Sequence, residues 1–279
     1  MKMGTKYANA PVYFTIGQVR HNPLLSLKSY LPAIQERMRK AGYPDFKSSQ
    51  QMQFAFSAVT GGDDSSPFQP GVQQTENYTF SNLEGTQGFL LEANALSFRC
   101  TEYETFPEFY AELERGLGIL EEAVDGLAYF ERLGLRYLDA IVPAEGETLQ
   151  QYLAREVWGT PASLDVDQIY QFEGQPLQYN HSFAESAATI PNIGQVVSRV
   201  ILQNSELRFP PDLTPDPLKI SQRFNGLKCQ HATVDVDASF SERRKYDSNE
   251  VRDRFQHLHD LVKLFFNATV TDHARKAWS

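Results

Sequence analysis

Apolar residues along this chain recur with two periods, two residues in some stretches and three to four in others, and the same succession appears twice. Alternation marks a strand with one buried face, and the longer spacing marks one stripe of an amphipathic helix. The first passage runs from GFLLEANALSFRC into TFPEFYAELERGLGILEEAV. The second runs from KCQHATVDVDASF into SNEVRDRFQHLHDLVKLFFNATV.

The pattern predicts strands at Pro11–Val19, Gln51–Ser57, 76–82, 87–93, 95–102, Tyr129–Ile141, 168–184, 192–204, 218–225 and 228–240. In Gln51–Ser57, Met52, Phe54 and Phe56 share a face. Residues 60–72, dense in Gly, Pro, Asp and Ser, read as a polar loop. Helices are expected at Tyr30–Ala41, Phe106–Val124, about Thr148–Val157 and Ser248–Asn267, with a short last helix capped by Thr271 or Asp272. The stripe of the second helix is Phe109, Tyr110, Leu113, Leu117 and Leu120; that of the fourth is Val251, Phe255, Leu258, Val262 and Phe265. The Pro-rich FPPDLTPDP at 209–217 cannot enter a sheet interior.

These elements give an α+β fold of two tandem units, each an antiparallel sheet carrying one long helix, in a pseudo-duplicated helix-grip or TATA-binding-protein-like plan. The units are expected at 1–146 and 147–279, packed as one body.

Composition narrows the function classes. The aromatic share of 12%, with 19 Phe and 13 Tyr, suits sheets and interfaces. A net charge of −9 without a Lys/Arg-rich run argues against a nucleic-acid partner. No stretch approaches the ~18 apolar residues of a membrane span, and the N-terminus lacks an apolar leader, so a cytoplasmic location is expected. Cys100 and Cys229 read as buried free thiols with too few companions for zinc.

No GxGxxG, Walker, GxSxG or CxxC pattern occurs, and Gly61-Gly62 lacks the apolar helix that a phosphate cradle needs. His257 and His259 bracket Leu258, so on a helix they point about 200° apart and cannot share a metal as HExxH histidines do. They read as solvent-facing or helix-flank residues.

Two strands carry polar rows at two-residue spacing. In 228–240, His231, Thr233, Asp235 and Asp237 line one face; carboxylates beside a histidine suit metal binding or acid–base work, but the expectation is a wet outer face. In 129–141, Leu133, Leu135, Tyr137 and Ile141 face one way and Arg132 and Arg136 the other. The two arginines fit an anion grip or, the favoured interpretation, an ion pair with Arg136 or Arg199 opposite Asp235 across a shared sheet. The candidate binding residues are therefore Arg132, Arg136, Arg199, His231, Asp235 and Asp237, with no cofactor and no resident metal expected.

Several runs together, PVYFTIGQVRHNPL, Tyr103 with ETFPEF, FERLGLRYLDAI, ATVDVDASF and FQHLHDLVKLFFNATVTDHARKAW, resemble a family of sporadically distributed, largely uncharacterised prokaryotic proteins of about this length. The family pattern often has Trp where this chain has Thr105 or Phe106. The patchy spread among bacteria and archaea implies a defence-linked or toxin–antitoxin-like role and brings no catalytic residues with it. The resulting expectation is a non-enzymatic binding or regulatory protein acting through a protein partner, one encoded by a neighbouring gene for instance. The alternatives are a small-ligand sensor with a cavity between sheet and helix, and a metal-dependent hydrolase or nuclease using His231, Asp235 and Asp237.

Overall fold

The computed structural model describes residues 7–55, 71–159, 171–172, 175–176 and 181–279. The side chains of Met52, Phe54 and Phe56, most of the 60–72 loop with Gly61-Gly62, and the early part of the 168–184 segment lie outside the described residues.

The chain alternates between strands and helices as β1 (Val12–His21), α1 (Leu27–Lys40), β2 (Asp45–Ala55), β3 (Gly71–Ser81), β4 (Gln87–Glu92), β5 (Ala95–Cys100), α2 (Phe106–Val124) and β6 (Tyr129–Ile141). It continues with α3 (Leu149–Tyr152), a 3-10 turn at Arg155–Trp158, the short pair β7 (Gln171–Phe172) and β8 (Gln175–Pro176), and the strands β9 (His181–Ile190), β10 (Gly194–Glu206) and β11 (Lys228–Phe240). A short β12 (Arg244–Lys245) precedes α4 (Ser248–Thr269) and α5 (Asp272–Ala277).

Nine strands make one antiparallel sheet in the order β2-β3-β4-β5-β1-β6-β11-β10-β9, and β12 pairs with the start of β6. The fold is α+β, as the periodicities predict, and both long helices stand within two residues of their expected bounds. β2 begins at Asp45, ahead of the expected Gln51, the helix expected at about Thr148–Val157 breaks into α3 and a 3-10 turn, and the described part of 168–184 holds two two-residue strands and the start of β9, which runs on to Ile190. Residues 218–225 hold no strand. They form turns and irregular backbone, because Pro210, Pro211, Pro215 and Pro217 remove ladder donors just ahead of them.

The helix boundaries follow from local chemistry. Thr105 accepts from the Glu108 N–H at the start of α2, Pro107 occupies the first turn where its missing N–H costs nothing, and Asp125 ends the helix at φ 61°. Asp247 caps α4 by accepting from the Asn249 and Glu250 N–H groups at 2.9 and 3.0 Å.

Helices α1, α2 and α4 lie on one sheet face. Their apolar stripes meet Phe89, Leu96, Phe98, Leu133, Leu135, Val234, Val236 and Ala238 in the main core. Residue type decides how closely a helix approaches. At Gly116 a Cβ would stand 2.2 Å from Phe89 Cε1, so α2 sits against the Phe89 ring only because that position is bare.

The opposite face is covered over part of its area by the long connection 207–227. Leu207, Phe209, Leu213, Leu218, Ile220 and Phe224 from this strap pack on Tyr13, Phe14, Ile16, Leu138 and Ala140. Hydrogen bonds pin it across several strands: Tyr13 donates to the Arg208 carbonyl (3.3 Å), Arg99 to Asp216 (3.0 Å), Thr101 to Lys219 (2.7 Å) and the Lys219 N–H to Gly85 (2.7 Å). Among the described residues no helix is long and apolar enough to cross a membrane.

Two glycines on α2 give a paired test. Gly116→Ala is expected to destabilise the protein by about 1–3 kcal/mol through overpacking against Phe89. Gly118→Ala, with nothing within 4 Å of its Cβ position, is expected to stabilise by roughly 0.5–1 kcal/mol. Urea unfolding midpoints of the two variants should move in opposite directions.

Candidate functional site

The polar row on β11 is not wet. Asp235 is 1% exposed and Arg136 8%, because the strap lies over both. Their pairing is bidentate: Arg136 Nε reaches Asp235 Oδ1 at 2.7 Å and Nη2 reaches Oδ2 at 2.8 Å. Asp212 of the strap adds a second carboxylate to the same guanidinium, with Nη1 to Oδ2 at 2.5 Å. Arg199, register partner of Asp235 on β10, stands 3.6 Å from Oδ2 and takes Glu185 of β9 at 2.7 Å. Two of the three arginines named from the sequence, Arg136 and Arg199, thus converge on Asp235, and the arrangement is a structural ion-pair network spanning β6, β11, β10, β9 and the strap.

His231 is fully buried and occupied elsewhere. Its Nε2 lies 2.9 Å from Gln203 Nε2 and its Nδ1 3.0 Å from the Cys229 carbonyl. Burial also depresses its basicity. His231 and Asp235 therefore have their functional atoms committed to different partners, and the pairing a hydrolase needs is not assembled. Among the described residues no three His, Cys, Asp or Glu side chains come together as a metal-holding group.

Arg132 and Asp237 are placed differently. Both are half-buried on the same face, beyond the strap. Arg132 Nη1 reaches Gln18 Oε1 at a long 3.4 Å. Burial raises the Asp237 pKa against the pull of Arg136 and Arg132.

On the helix side, a cavity of about 340 Å³ opens between the ends of β4 and β5 and the first turn of α2. Phe98, Phe109, Tyr103, Cys100 and Gln87 form its walls, and Glu102, Glu104 and Glu108 stand around its mouth. Cys100 is a buried free thiol pushed up to about 12 by burial, so it stays protonated at neutral pH and is a poor nucleophile. Behind the wall, Tyr137 donates to the Tyr103 hydroxyl at 3.0 Å. Deeper still lies Asp139, buried on the apolar face, with its pKa raised to about 8 by desolvation and by the Asp235 charge.

Sequence reasoning missed this set, although one signal was present. Asp139 follows Leu133, Leu135 and Tyr137 at strand spacing, so it places a carboxyl within an apolar stripe. The glutamates alternate through TEYETFPEF, but their convergence depends on the turn from β5 into α2, which periodicity does not describe. Cys100 is buried as expected and Cys229 half-buried. His257 is exposed, whereas His259 is a flank residue wedged flat on Phe106, with ring centroids 4.2 Å apart. Desolvation pushes His259 down to about 4.

Two predictions follow from these burials. Arg136→Met strands Asp235 under the strap and is expected to cost about 3 kcal/mol, the lower end for a broken buried pair because Arg199 remains near. The double variant Arg136→Met/Asp235→Val should recover most of that loss in urea titrations. Asp139 binds a proton more tightly folded than unfolded, so its contribution is fully present below pH 3.8 and is lost as pH rises through about 8. Asp139→Asn should accordingly be more stable than the parent at pH 8–9, and thermal melts of the two should converge near pH 4.

Comparison with protein-family models, curated proteins and solved structures yields no match to this chain.

Proposed function

We propose that the protein is a non-enzymatic binding protein that holds a small organic cation in the cavity between its sheet and α2. The supporting observation is that cavity of about 340 Å³, with aromatic walls and three glutamates at its mouth. An aromatic face attracts a cation through its quadrupole, and the exposed carboxylates beside it add a solvent-screened Coulombic attraction. The protonated Cys100 thiol and Tyr103, whose hydroxyl is held by Tyr137 behind the wall, supply polar contacts without a reactive group. A sensor of this kind fits the accessory, defence-linked role that the family resemblance implies.

The halves support an internal duplication. β1 and β6 lie side by side and antiparallel, each flanked by the strand that leads into a long helix, β5 before α2 and β11 before α4. In this reading β6 heads the second unit and the seam falls near Gly126, ahead of the boundary at 146 expected from the sequence. This arrangement is the support for the proposed saddle of the TATA-binding-protein kind.

A protein partner has its own support. β9 is paired on one side only among the described residues and is exposed over most of its length, with Phe183 51% and Ile190 42% exposed. An edge of this kind accepts a strand from another chain. If the product of an adjacent gene is that partner, Phe183→Asp should abolish its co-purification.

The cavity reading is tested by calorimetric titration with primary amines and quaternary ammonium compounds that carry an apolar group. Binding is expected, and Glu102→Gln/Glu108→Gln should weaken it at least tenfold. Absence of binding across such a panel, or equal affinity in the double variant, rules the reading out.

A further inference from the structure

The sheet face that carries the strap is covered only in part. Strand register lays out what remains beyond the strap's edge. One row across four strands reads Glu92, Ala95, Arg20, Arg132. The next row inward reads Leu90, Ser97, Gln18, Gly134, Ser239, and beyond it lies the row of Arg99, Ile16, Arg136 and Asp237, where the strap begins.

Arg20 and Arg132 are direct register partners on the neighbouring strands β1 and β6, and both are half-buried. Like charges facing each other across a strand pair destabilise a sheet. Arg136 and Arg199 on this face are answered by carboxylates, and Arg99 is held through Nη1 alone by the strap carbonyls of Thr214 and Asp216, its Nε and Nη2 being buried without a hydrogen-bond partner. Among the described residues Arg20 and Arg132 form no ion pair. Glu92 and Asp237 act on them only through space, and burial raises the pKa of each despite the arginines.

The contacts of Arg132 are with neutral groups. Gly134 is bare, and the Arg132 guanidinium occupies the space a Cβ would need, with Nη1 2.8 Å from that position. Gln18 donates to Ser97 Oγ at 3.1 Å, which leaves its Oε1 facing Arg132 Nη1. Arg132 is thereby turned along its own strand over Gly134, and the small residues Ala95 and Ser97 beneath this patch are themselves buried, at 2% and 0% exposure.

We propose that Arg20 and Arg132 together form a binding site for an oxyanion, the carboxylate or phosphate group of a small molecule or peptide, on the open part of the sheet face. A planar guanidinium offers paired N–H donors matched to such a group, and a bound anion would turn the Arg20–Arg132 repulsion into a bridge. The site lies on the face opposite the α2 cavity and does not depend on it.

The probes are inorganic phosphate and acetate, each titrated into the full chain at constant ionic strength, with chloride as the control, while the melting temperature and the heat of binding are read. A rise in melting temperature with phosphate, with acetate or with both, beyond that with chloride, is expected, and the stronger probe identifies the source of the oxyanion. Arg20→Gln and Arg132→Gln should each weaken binding at least tenfold. Asp237→Asn should tighten it, since it removes a neighbouring carboxyl. In phosphate-free buffer at low salt, Arg132→Gln should melt no lower than the parent. Equal response to all three anions, binding retained in Arg20→Gln/Arg132→Gln, or a large fall in the melting temperature of Arg132→Gln without ligand would each overturn the site.

Discussion

A carboxyl buried on a sheet face either takes up a proton, as Asp139 does, or needs a cation beside it, and Asp235 is buried almost completely. Much of the architecture away from the helices answers to that constraint. Arg136 supplies the charge from the neighbouring strand, and its remaining donors take Asp212, which fixes where the strap crosses. Arg199 approaches from the other side and draws in Glu185 of β9. One carboxylate thus sets register across β6, β11 and β10 and anchors the only cover this face has among the described residues. A pair of this kind adds modest net stability, since desolvation offsets most of the Coulombic gain, but it penalises any register that separates its members.

The two faces are built to different rules. The helix face is dry and aromatic, with Tyr43, Phe89, Phe98 and Phe109 in edge-on or tilted contact at centroid distances of 4.8, 5.0 and 5.1 Å along the series. It ends at an acidic cavity mouth. The strap face is part apolar and part charged, and Arg20 and Arg132 stand there near Glu92 and Asp237. Ligands of opposite charge would therefore meet opposite faces of one sheet. The strap and the helices share β1, β5 and β6 as their common support.

Much of this was legible in the residues. Leu113, Leu117 and Leu120, at spacings of four and three, specify the buried side of α2, and alternation from Lys228 to Phe240 specifies which side chains of β11 oppose one another. The ion pair between Asp235 and Arg136 or Arg199 follows from the same alternation once the strands share a sheet. The burial of that pair does not. Its cover is irregular backbone, in which Leu207, Phe209, Leu213 and Leu218 have no common period, so a Pro-rich stretch read only as barred from a sheet interior, and the strand expected after it at 218–225, together form a lid on a second core. Asp139 is a different failure: a single carboxyl among leucines looks like noise in a periodic pattern, and only packing reveals that nothing around it welcomes a charge.

The position of β6 has a consequence for how the molecule is made. β6 is bonded to β1 on one side and to β11 on the other, yet β11 begins only at Lys228, after the whole strap. A chain emerging from the ribosome completes the first half while β6 still presents an open edge bearing Leu133, Leu135, Leu138 and Ile141. That edge is a template for pairing with any other extended chain until residues 228–240 arrive. The middle of the finished sheet is thus an edge of the growing one.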